Sequence, residues 1–222
     1  MLAGEAVVAI WNGIAPEGRA AFYDWHINEH IPERVGIPGF RRGRRYIAVD
    51  TDTHPEFFTL YETDTMQVLQ GSDYTNRLNM PTPWTKTTTA HFRDTARALS
   101  RVVASWGPGP GGVMLTIRFD CDHANIGAVG ALVEAAVASP RVTGAHLCQG
   151  DRAASDVRTA ESKDRTDIQA PPDSFIMIEA TDAAALALLL PDRALADVGA
   201  RGPYVRGMYR LEYSRTKTAF WP

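Results

Sequence analysis

The chain has 222 residues, 45% of them apolar and 22% charged, which is the composition of a globular protein and excludes wholesale disorder. Its net charge of −3 does not indicate a general nucleic-acid binder, and two cysteines cannot form a disulfide framework or a four-ligand zinc site. The longest strongly apolar stretch, 183–190, is too short to cross a membrane, and the N-terminus lacks the basic start of a secretory signal. We therefore expect a cytoplasmic protein with no nucleic-acid or membrane partner.

The first half of the chain alternates between β-rich and helical patterns. Val7 to Trp11 is β-branched and apolar, as in a buried strand, and the segment 16–18 has the proline and acidic residue that open helices. The patterns predict, in chain order, a strand at 7–11, a helix from 16 to about 34, strands at 40–49 and 57–62, a helix from near 65, a long polar loop around Trp84, and a strand at 91–105. This β-α-β-β-α-β order is ferredoxin-like.

The second half repeats this order. Its patterns predict a strand at 112–119, a helix at 125–138, strands at 142–148 and 174–180, a helix at 183–190 and a strand at 204–213. A glycine- and proline-rich linker, 106–112, breaks both helix and strand between the halves. We therefore predict two tandem ferredoxin-like repeats, residues 1–106 and residues 107–222.

The two repeats differ in two places. The second carries a polar, charged insert at 151–171, for which a mobile solvated loop and a partly ordered lid are both open interpretations. The other difference lies in the first helix, which carries polar residues where its counterpart is apolar.

One side of the first helix combines aromatic and ionisable residues. At about 100° per residue, this side collects Phe22, Trp25, His26, Glu29 and Glu33, with His30 at its edge. A carboxylate on a core-facing side needs hydrogen bonds or a cation, which the histidines could supply. The repeat register puts three apolar residues at the positions of His26, Glu29 and His30, namely Val133, Ala136 and Val137. Because apolar residues suffice there, the polar ones indicate a site in the first half.

The residues from His26 to His30 also spell H-x-x-E-H, a pattern found in one class of zinc peptidases. The spacing places two imidazoles on one helix face beside a carboxylate. The motif is short and a ferredoxin-like repeat is the wrong setting for such a peptidase, so we predict no metal. Two alternatives stay open: a bound divalent metal without protease activity, and a structural pairing of Glu29 and His30 before Pro32.

A basic run, Arg41 to Arg45, lies in the predicted strand 40–49. Strand alternation sends Arg42 and Arg44 to the face of Phe40 and Tyr46. The run either protects an edge strand from association or forms a guanidinium clamp for an anionic ligand. The following aromatic residues either line a pocket or pack in the core: Tyr46, Tyr61, Trp84, Trp106 and His91.

Two motifs resemble a known superfamily. Residues 23–34, YDWHINEHIPER, and residues 38–46, PGFRRGRRY, are similar to the helix-end and strand motifs of the dimeric α/β-barrel superfamily, in particular EthD-like and related uncharacterised bacterial proteins. The resemblance covers about the first 100 residues, whereas the second half matches only in its order of elements. Members of the superfamily include isomerases, cofactor-free monooxygenases, polyketide cyclases and haem proteins, so the resemblance implies a fold rather than an activity.

The resemblance implies an α+β fold in which two ferredoxin-like units form a barrel of antiparallel sheets, usually as a homodimer. Here both units are on one chain, so we expect an intramolecular dimeric α/β-barrel, either a monomeric pseudo-dimer or a further homodimer. It also implies a pocket between helices and sheet in each half. The two pockets should be unequal, with Glu29 and His30 lining the first.

We predict a cofactor-free acid/base enzyme, an isomerase, cyclase or monooxygenase-like protein, that acts on an aromatic or polyketide-like small molecule. His30 is the predicted proton-transfer group because imidazole titrates near neutral pH, and Glu29 or His26 would orient it. The predicted ligand-binding residues are Tyr46, Arg44, Trp84, His91 and Trp25.

Two other classes stay open. A non-catalytic binding module would hold haem or another hydrophobic ligand, with His26, His30 or His91 as an axial ligand of haem. An accessory or structural protein would use Glu29 and His30 only to lock the helix end.

Overall fold

The first half of the chain forms the predicted β-α-β-β-α-β order, with additional short helices. The computed structural model describes residues 1–218, so the last four residues of the predicted second repeat, 219–222, lie outside the described residues. The elements of the first half are β1 (Ala6–Ile14), a 3-10 helix (Pro16–Gly18), α1 (Arg19–Trp25), a π-helical turn (His26–His30), α2 (Ile31–Gly36), β2 (Phe40–Ala48), β3 (Phe57–Thr63), α3 (Met66–Gln70), α4 (Ser72–Asn79), α5 (Pro83–Thr89) and β4 (Phe92–Trp106).

The second half follows the same order with fewer helices. Its elements are β5 (Val113–Cys121), a 3-10 helix (His123–Asn125), α6 (Ile126–Ala136), β6 (Val142–Gly150), α7 (Arg152–Ser155), β7 (Ile168–Gln169), β8 (Ser174–Ala180), a 3-10 helix (Ala183–Ala185), α8 (Asp192–Asp197) and β9 (Ala200–Thr216). Among residues 1–218, no helix is both long and apolar enough to span a bilayer.

Eight strands of the described chain close into an antiparallel barrel. Their order is β1-β3-β2-β9-β5-β8-β6-β4, and β4 pairs back onto β1. The short strand β7 joins β4 in parallel, through Thr95 opposite Ile168. The predicted fold class, a barrel made by two ferredoxin-like units on one chain, is confirmed.

Two long strands join the halves. β4 pairs with β1 along most of its length and with β6 through Ser100 to Trp106. β9 likewise pairs with β5 and, through Tyr209 to Thr216, with β2. The end of β4 therefore pairs with the second half and the end of β9 with the first half, and these pairings close the barrel within a single chain.

The core has an interior layer and two outer layers. The barrel interior is filled by side chains from strands of both halves, among them Trp11, Tyr46, Phe58, Phe175 and Tyr209. Beneath the helices of the first half lie two aromatic-rich clusters, and beneath those of the second half lies an aliphatic cluster around Val129 and Val133. Strand alternation separates these layers, so a side chain belongs either to the interior or to a helix-covered face.

Two local predictions are wrong. The predicted polar loop around Trp84 contains α5, because Pro83 starts the helix and the Thr82 hydroxyl accepts a hydrogen bond from the Thr85 amide at 2.9 Å. The predicted helix 183–190 is only a 3-10 turn. Leu190 has a positive φ of 50°, and the helix of this region starts after Pro191 instead.

A β-bulge changes the predicted faces of β2. The register of β2 against β3 shifts between Phe40 and Arg42, so Phe40 packs beneath the helices, whereas Arg44 and Tyr46 point into the barrel interior. The prediction that Phe40 shares a face with Arg42, Arg44 and Tyr46 is therefore wrong, because a bulge adds one residue and exchanges the two faces.

Candidate functional site

The first helix widens where its histidines lie. Residues His26–His30 form a π-helical turn in which the Ile31 amide donates to the His26 carbonyl. Pro32 follows, and a proline lacks an amide hydrogen and clashes with the carbonyl four residues earlier, so a wider turn relieves the clash. The widened turn carries His30 from its predicted edge position into the protein, where it is 5% exposed.

His30 lines a small cavity between the helices and the sheet of the first half. The cavity has a volume of about 50 Å³. Its wall combines four aromatic rings (Trp25, Tyr61, Tyr74, Phe92), three guanidinium groups (Arg34, Arg97, Arg165), one carboxylate (Glu161), and His30, Ile10, Leu78, Thr89 and Thr95. Among the described residues that line it, positive charge exceeds negative, so the lining favours an acidic group over a basic one.

Several cavity-lining side chains have unused polar atoms. His30 Nδ1, Arg34 Nη1 and the Tyr61 hydroxyl are buried and have no hydrogen-bond partner among residues 1–218. The Glu33 carboxylate lies 3.6 Å from Arg34 Nη1, within ion-pair distance. Buried polar groups are normally paired, so these three atoms could bind a water or another molecule that reaches them.

The site histidines are neutral at physiological pH. Burial and the nearby Arg34 cation hold the pKa of His30 well below its usual value of 6.5, and burial and Arg45 do the same for the pKa of His26. The His26 ring stacks on His30 with centroids 5.5 Å apart, and Trp25 contacts the His30 ring at 4.1 Å. His30 is therefore a neutral imidazole whose position is fixed by its ring contacts.

Arg34 is a permanent cation in the same cavity. Burial by itself would lower its pKa, but Glu161 and the neighbouring Tyr74, Tyr61 and Glu33 raise the pKa of Arg34 above its ordinary value. Burial also raises the pKa of Tyr61 well above 10, so its hydroxyl keeps its proton. The cavity thus combines the neutral imidazole of His30, the protonated hydroxyl of Tyr61 and the fixed positive charge of Arg34.

Glu29 faces α5 and supports the aromatic wall. Its Oε1 accepts hydrogen bonds from Trp25 Nε1 at 3.1 Å and from the hydroxyls of Thr82 and Thr85 at 2.6 Å and 3.0 Å. The half-buried carboxylate therefore fixes the Trp25 ring and joins the first helix to α5. It is not among the residues that line the cavity.

Replacing Glu29 with glutamine is expected to lower the free energy of unfolding by about 1–3 kcal/mol, because the carboxylate oxygen that accepts three hydrogen bonds is replaced by a weaker amide acceptor. Urea unfolding followed by Trp fluorescence measures this. The control is Asp24→Asn on the same helix, which removes one charge from an exposed side chain and should change stability by less than about 0.5 kcal/mol. Equal effects of the two substitutions would contradict the assigned support role.

The insert of the second half covers this cavity. Glu161 forms an ion pair with Arg34, and its amide donates to the Leu78 carbonyl at 3.1 Å. Arg165 donates to the Thr95 hydroxyl at 2.6 Å, and its guanidinium lies over the Phe92 ring at 4.9 Å. Of the two interpretations of residues 151–171, the structure therefore favours an ordered cover. Outside the small cavity, and beneath the same insert, lies a chamber of about 180 Å³.

The structure brings together some of the predicted site residues and separates others. Trp25 and His30 line the cavity, and His26 stacks behind His30. Arg44 and Tyr46 lie on the other side of the sheet, inside the barrel, where Arg44 pairs with Glu62 and Glu179. Trp84 is 39% exposed on α5. His91, just before β4, packs closely against Gly18. A Cβ added to that glycine would lie only 2.3 Å from the His91 Cβ.

Sequence reasoning missed Arg34, Tyr74, Arg97, Glu161 and Arg165 as site residues. Arg34 could have been found, because it follows His30 by one helical turn in the same motif. Glu161 and Arg165 could not, since the insert reaches the first half through contacts such as Arg34–Glu161 between residues 127 positions apart.

Neither a metal nor a haem fits the residues of this site. Within residues 1–218, no group of three or more His, Cys, Asp or Glu side chains is placed to hold a metal ion, and the Glu29 carboxylate is used by α5. In this closed arrangement there is also no room for a haem beside His30, since the cavity of about 50 Å³ is far smaller than the roughly 300–1,000 Å³ of a typical ligand pocket. His26 is enclosed by the rings of Phe22, Trp25 and His30.

Comparison with known proteins finds similarity at the level of structure. No family model matches the chain, and no curated protein matches its sequence. The structure is similar to that of an anthrone oxidase-like protein, with a TM-score of 0.62 and 10% sequence identity over 95% of this chain and 92% of that one.

Two further similar structures are proposed monooxygenases. The one from Fusobacterium nucleatum has a TM-score of 0.56 and 8% identity, covering 97% of this chain and 96% of that one. The one from Lactobacillus acidophilus has a TM-score of 0.55 and 10% identity, covering 96% of each chain. The similarity extends over the whole length, and the chain has the dimeric α/β-barrel fold that its sequence motifs resemble.

Proposed function

We propose that this protein is a cofactor-free acid/base enzyme that removes a proton from an aromatic or polyketide-like small molecule at the cavity of the first half. The observation that carries the proposal is the neutral, buried imidazole of His30 next to the fixed cation of Arg34, both with unpaired polar atoms at one cavity. Such a pair accepts a proton and stabilises the anion that forms.

The chemistry follows from these two groups. A ring nitrogen of His30 takes the proton from an acidic ring carbon conjugated with a ring carbonyl, such as the methylene carbon opposite the carbonyl of anthrone, and the electron pair of the broken C–H bond is delocalised onto the carbonyl oxygen. Arg34 and the Tyr61 hydroxyl would stabilise the resulting enolate, because both are donors buried away from water. Trp25, Tyr74 and Phe92 would hold the ring between apolar faces.

Within this reaction type, oxidation of an anthrone-like ring is the candidate that the structural relatives favour. One of them is an anthrone oxidase-like protein and two are proposed monooxygenases. An enolate can reduce dioxygen directly: anthrone and one dioxygen give anthraquinone and one water, with the ring carbon oxidised and dioxygen reduced.

The test is to incubate the protein, dialysed against a chelator, with anthrone and dioxygen and to follow quinone formation by absorbance. Formation above the uncatalysed rate in air, and none under argon, supports the oxidation. If the acidic ring hydrogens exchange in heavy water but no quinone forms, the protein transfers protons without oxidising the ring. The proposed function is then that of an isomerase or cyclase. If the protein catalyses neither the oxidation nor the hydrogen exchange, the proposal is contradicted for this ring class.

The pH dependence of turnover should report the pKa of His30. A base must be unprotonated, and its pKa is lowered by burial and Arg34, so it stays active to lower pH than an ordinary histidine. We expect kcat/KM to be constant from pH 8 down through pH 6.5, the usual histidine value, and to fall only at lower pH. A profile that reaches half its maximum at or above the usual value would contradict the assignment of His30 as the base.

A further inference from the structure

The Arg34–Glu161 ion pair joins the two halves of the chain at the wall of the cavity. Arg34 comes from the first helix and lines the cavity, whereas Glu161 comes from the insert of the second half. Both groups are removed from most solvent, with side-chain exposures of 4% and 15%. The insert thus places a carboxylate on the one cation that the proposed reaction needs.

The closed cavity is too small for the proposed substrate class. Its volume of about 50 Å³ leaves no room for an aromatic ring. The chamber outside it, of about 180 Å³, shares Leu78, Thr95, Arg97, Glu161 and Arg165 with the cavity wall. Glu161 and Arg165 thus lie between the two spaces, so a ligand reaches His30 only when the insert shifts.

We propose that the Glu161 carboxylate occupies, in this closed arrangement, the place of an acidic oxygen of the substrate on Arg34. This rests on the proposed function and specifies its substrate: an aromatic compound with an oxygen that is anionic when bound, as in a phenolate or carboxylate, or that becomes anionic when the ring loses its proton, as in the enolate of anthrone. Residues 156–170 then form a lid that lifts when the substrate oxygen replaces Glu161.

The balance of charges explains why an anion is required. Arg34 is buried and permanently charged, and a buried charge left unpaired is strongly unfavourable. A neutral ligand that displaces Glu161 leaves Arg34 with the weaker pairing to Glu33, 3.6 Å away, whereas an anionic ligand restores a close carboxylate-like partner. The cost of opening the lid reduces the apparent affinity for any ligand, and an acidic oxygen offsets that cost.

Binding of salicylate and of its neutral methyl ester, measured by isothermal titration calorimetry, tests the substrate class. Both probes have one phenolic ring, and they differ in the carboxylate. We expect the wild-type protein to bind salicylate at least tenfold more tightly than the ester. Equal affinities, or binding of neither probe, would overturn the proposal.

Glu161→Gln tests the exchange itself. The substitution keeps the shape of the side chain and removes the competing charge, so we expect salicylate to bind about tenfold more tightly than to the wild type. The control is Asp164→Asn, which removes one negative charge from an exposed position of the same lid and should leave the affinity unchanged. Unchanged or weaker binding to Glu161→Gln, or equal tightening in the control, would overturn the role of Glu161.

These measurements do not depend on turnover. If salicylate binds as expected while no ring compound reacts, the proposed function fails and the anion site stands. If turnover of anthrone requires His30 while salicylate binding shows no charge preference, the function stands and this inference fails.

Discussion

His30→Ala is expected to lower kcat for anthrone, or for proton exchange of its ring, by about 10²- to 10⁴-fold, which is the usual contribution of a positioned general base. The imidazole is the neutral, proton-accepting side chain of the cavity wall, and its place beside Trp25 and Arg34 is fixed by the π-helical turn. KM should change much less, since the aromatic wall and Arg34 stay in place. Steady-state kinetics at pH 7.5 separate the two parameters.

The matched control for His30→Ala is His123→Ala, which removes an exposed imidazole from the second half and should leave kcat unchanged. Because His30 is also part of an aromatic stack, thermal unfolding of both variants must accompany the kinetics. Full turnover by a folded His30→Ala protein would eliminate His30 as the base. Loss of stability with unchanged turnover would instead support the structural interpretation, in which Glu29 and His30 only lock the helix end.

His26→Ala distinguishes a positioning residue from a catalytic one. His26 stacks on His30 but does not line the cavity. If it acts through His30, its loss should lower kcat less than the loss of His30 does.

Arg44→Met is expected to lower the free energy of unfolding by about 3–5 kcal/mol, the usual effect of removing one partner from a buried ion pair. Arg44 is 1% exposed inside the barrel and binds Glu62 of the first half and Glu179 of the second. Although burial alone would raise the pKa of Glu179, hydrogen bonds from His146 and Arg44 hold it at about 2. Removing Arg44 therefore leaves an ionised carboxylate without its main cation. Denaturant unfolding measures the loss.

Arg41→Met, on the same strand, is the control for Arg44→Met. Arg41 is exposed and pairs with the exposed Asp64, and such surface pairs contribute about 0–1 kcal/mol. If Arg44→Met does not fold, Glu179→Gln is the second variant, because it keeps the side-chain shape and leaves Arg44 paired with Glu62. A loss no larger than that of the control would show that the interior ion cluster does not hold the two halves together.

The interior cluster also separates two roles that the sequence could not distinguish. Glu62 and Glu179 occupy equivalent places on β3 and β8, and Arg44 and His146 occupy equivalent places on β2 and β6. Arg44 joins the two halves across this repeat. The sequence left two interpretations of the basic run Arg41 to Arg45, an edge-protecting segment and an anion clamp. In the structure its most buried residue, Arg44, instead forms ion pairs with Glu62 and Glu179 in the core.

The sequence alone determined the repeated β-α-β-β-α-β order, because strand and helix periodicities are local and survive in both halves. It also indicated the helix that carries the proposed site, because His26, Glu29 and His30 stand where the second half has apolar residues. Trp25 and His30 do line the cavity. His30 was predicted only at the edge of that helix face, because a regular helical period does not include the π-helical turn before Pro32.

Only the tertiary structure decided which predicted residues share a site. A single bulge near Phe40 exchanges the faces of β2, so Arg44 and Tyr46 lie in the barrel interior rather than beside His30. Docking of the insert brings Glu161 onto Arg34 across 127 positions of the chain. Neither effect is visible in local patterns, because one added residue inverts strand alternation and because long-range contacts depend on how the whole barrel closes.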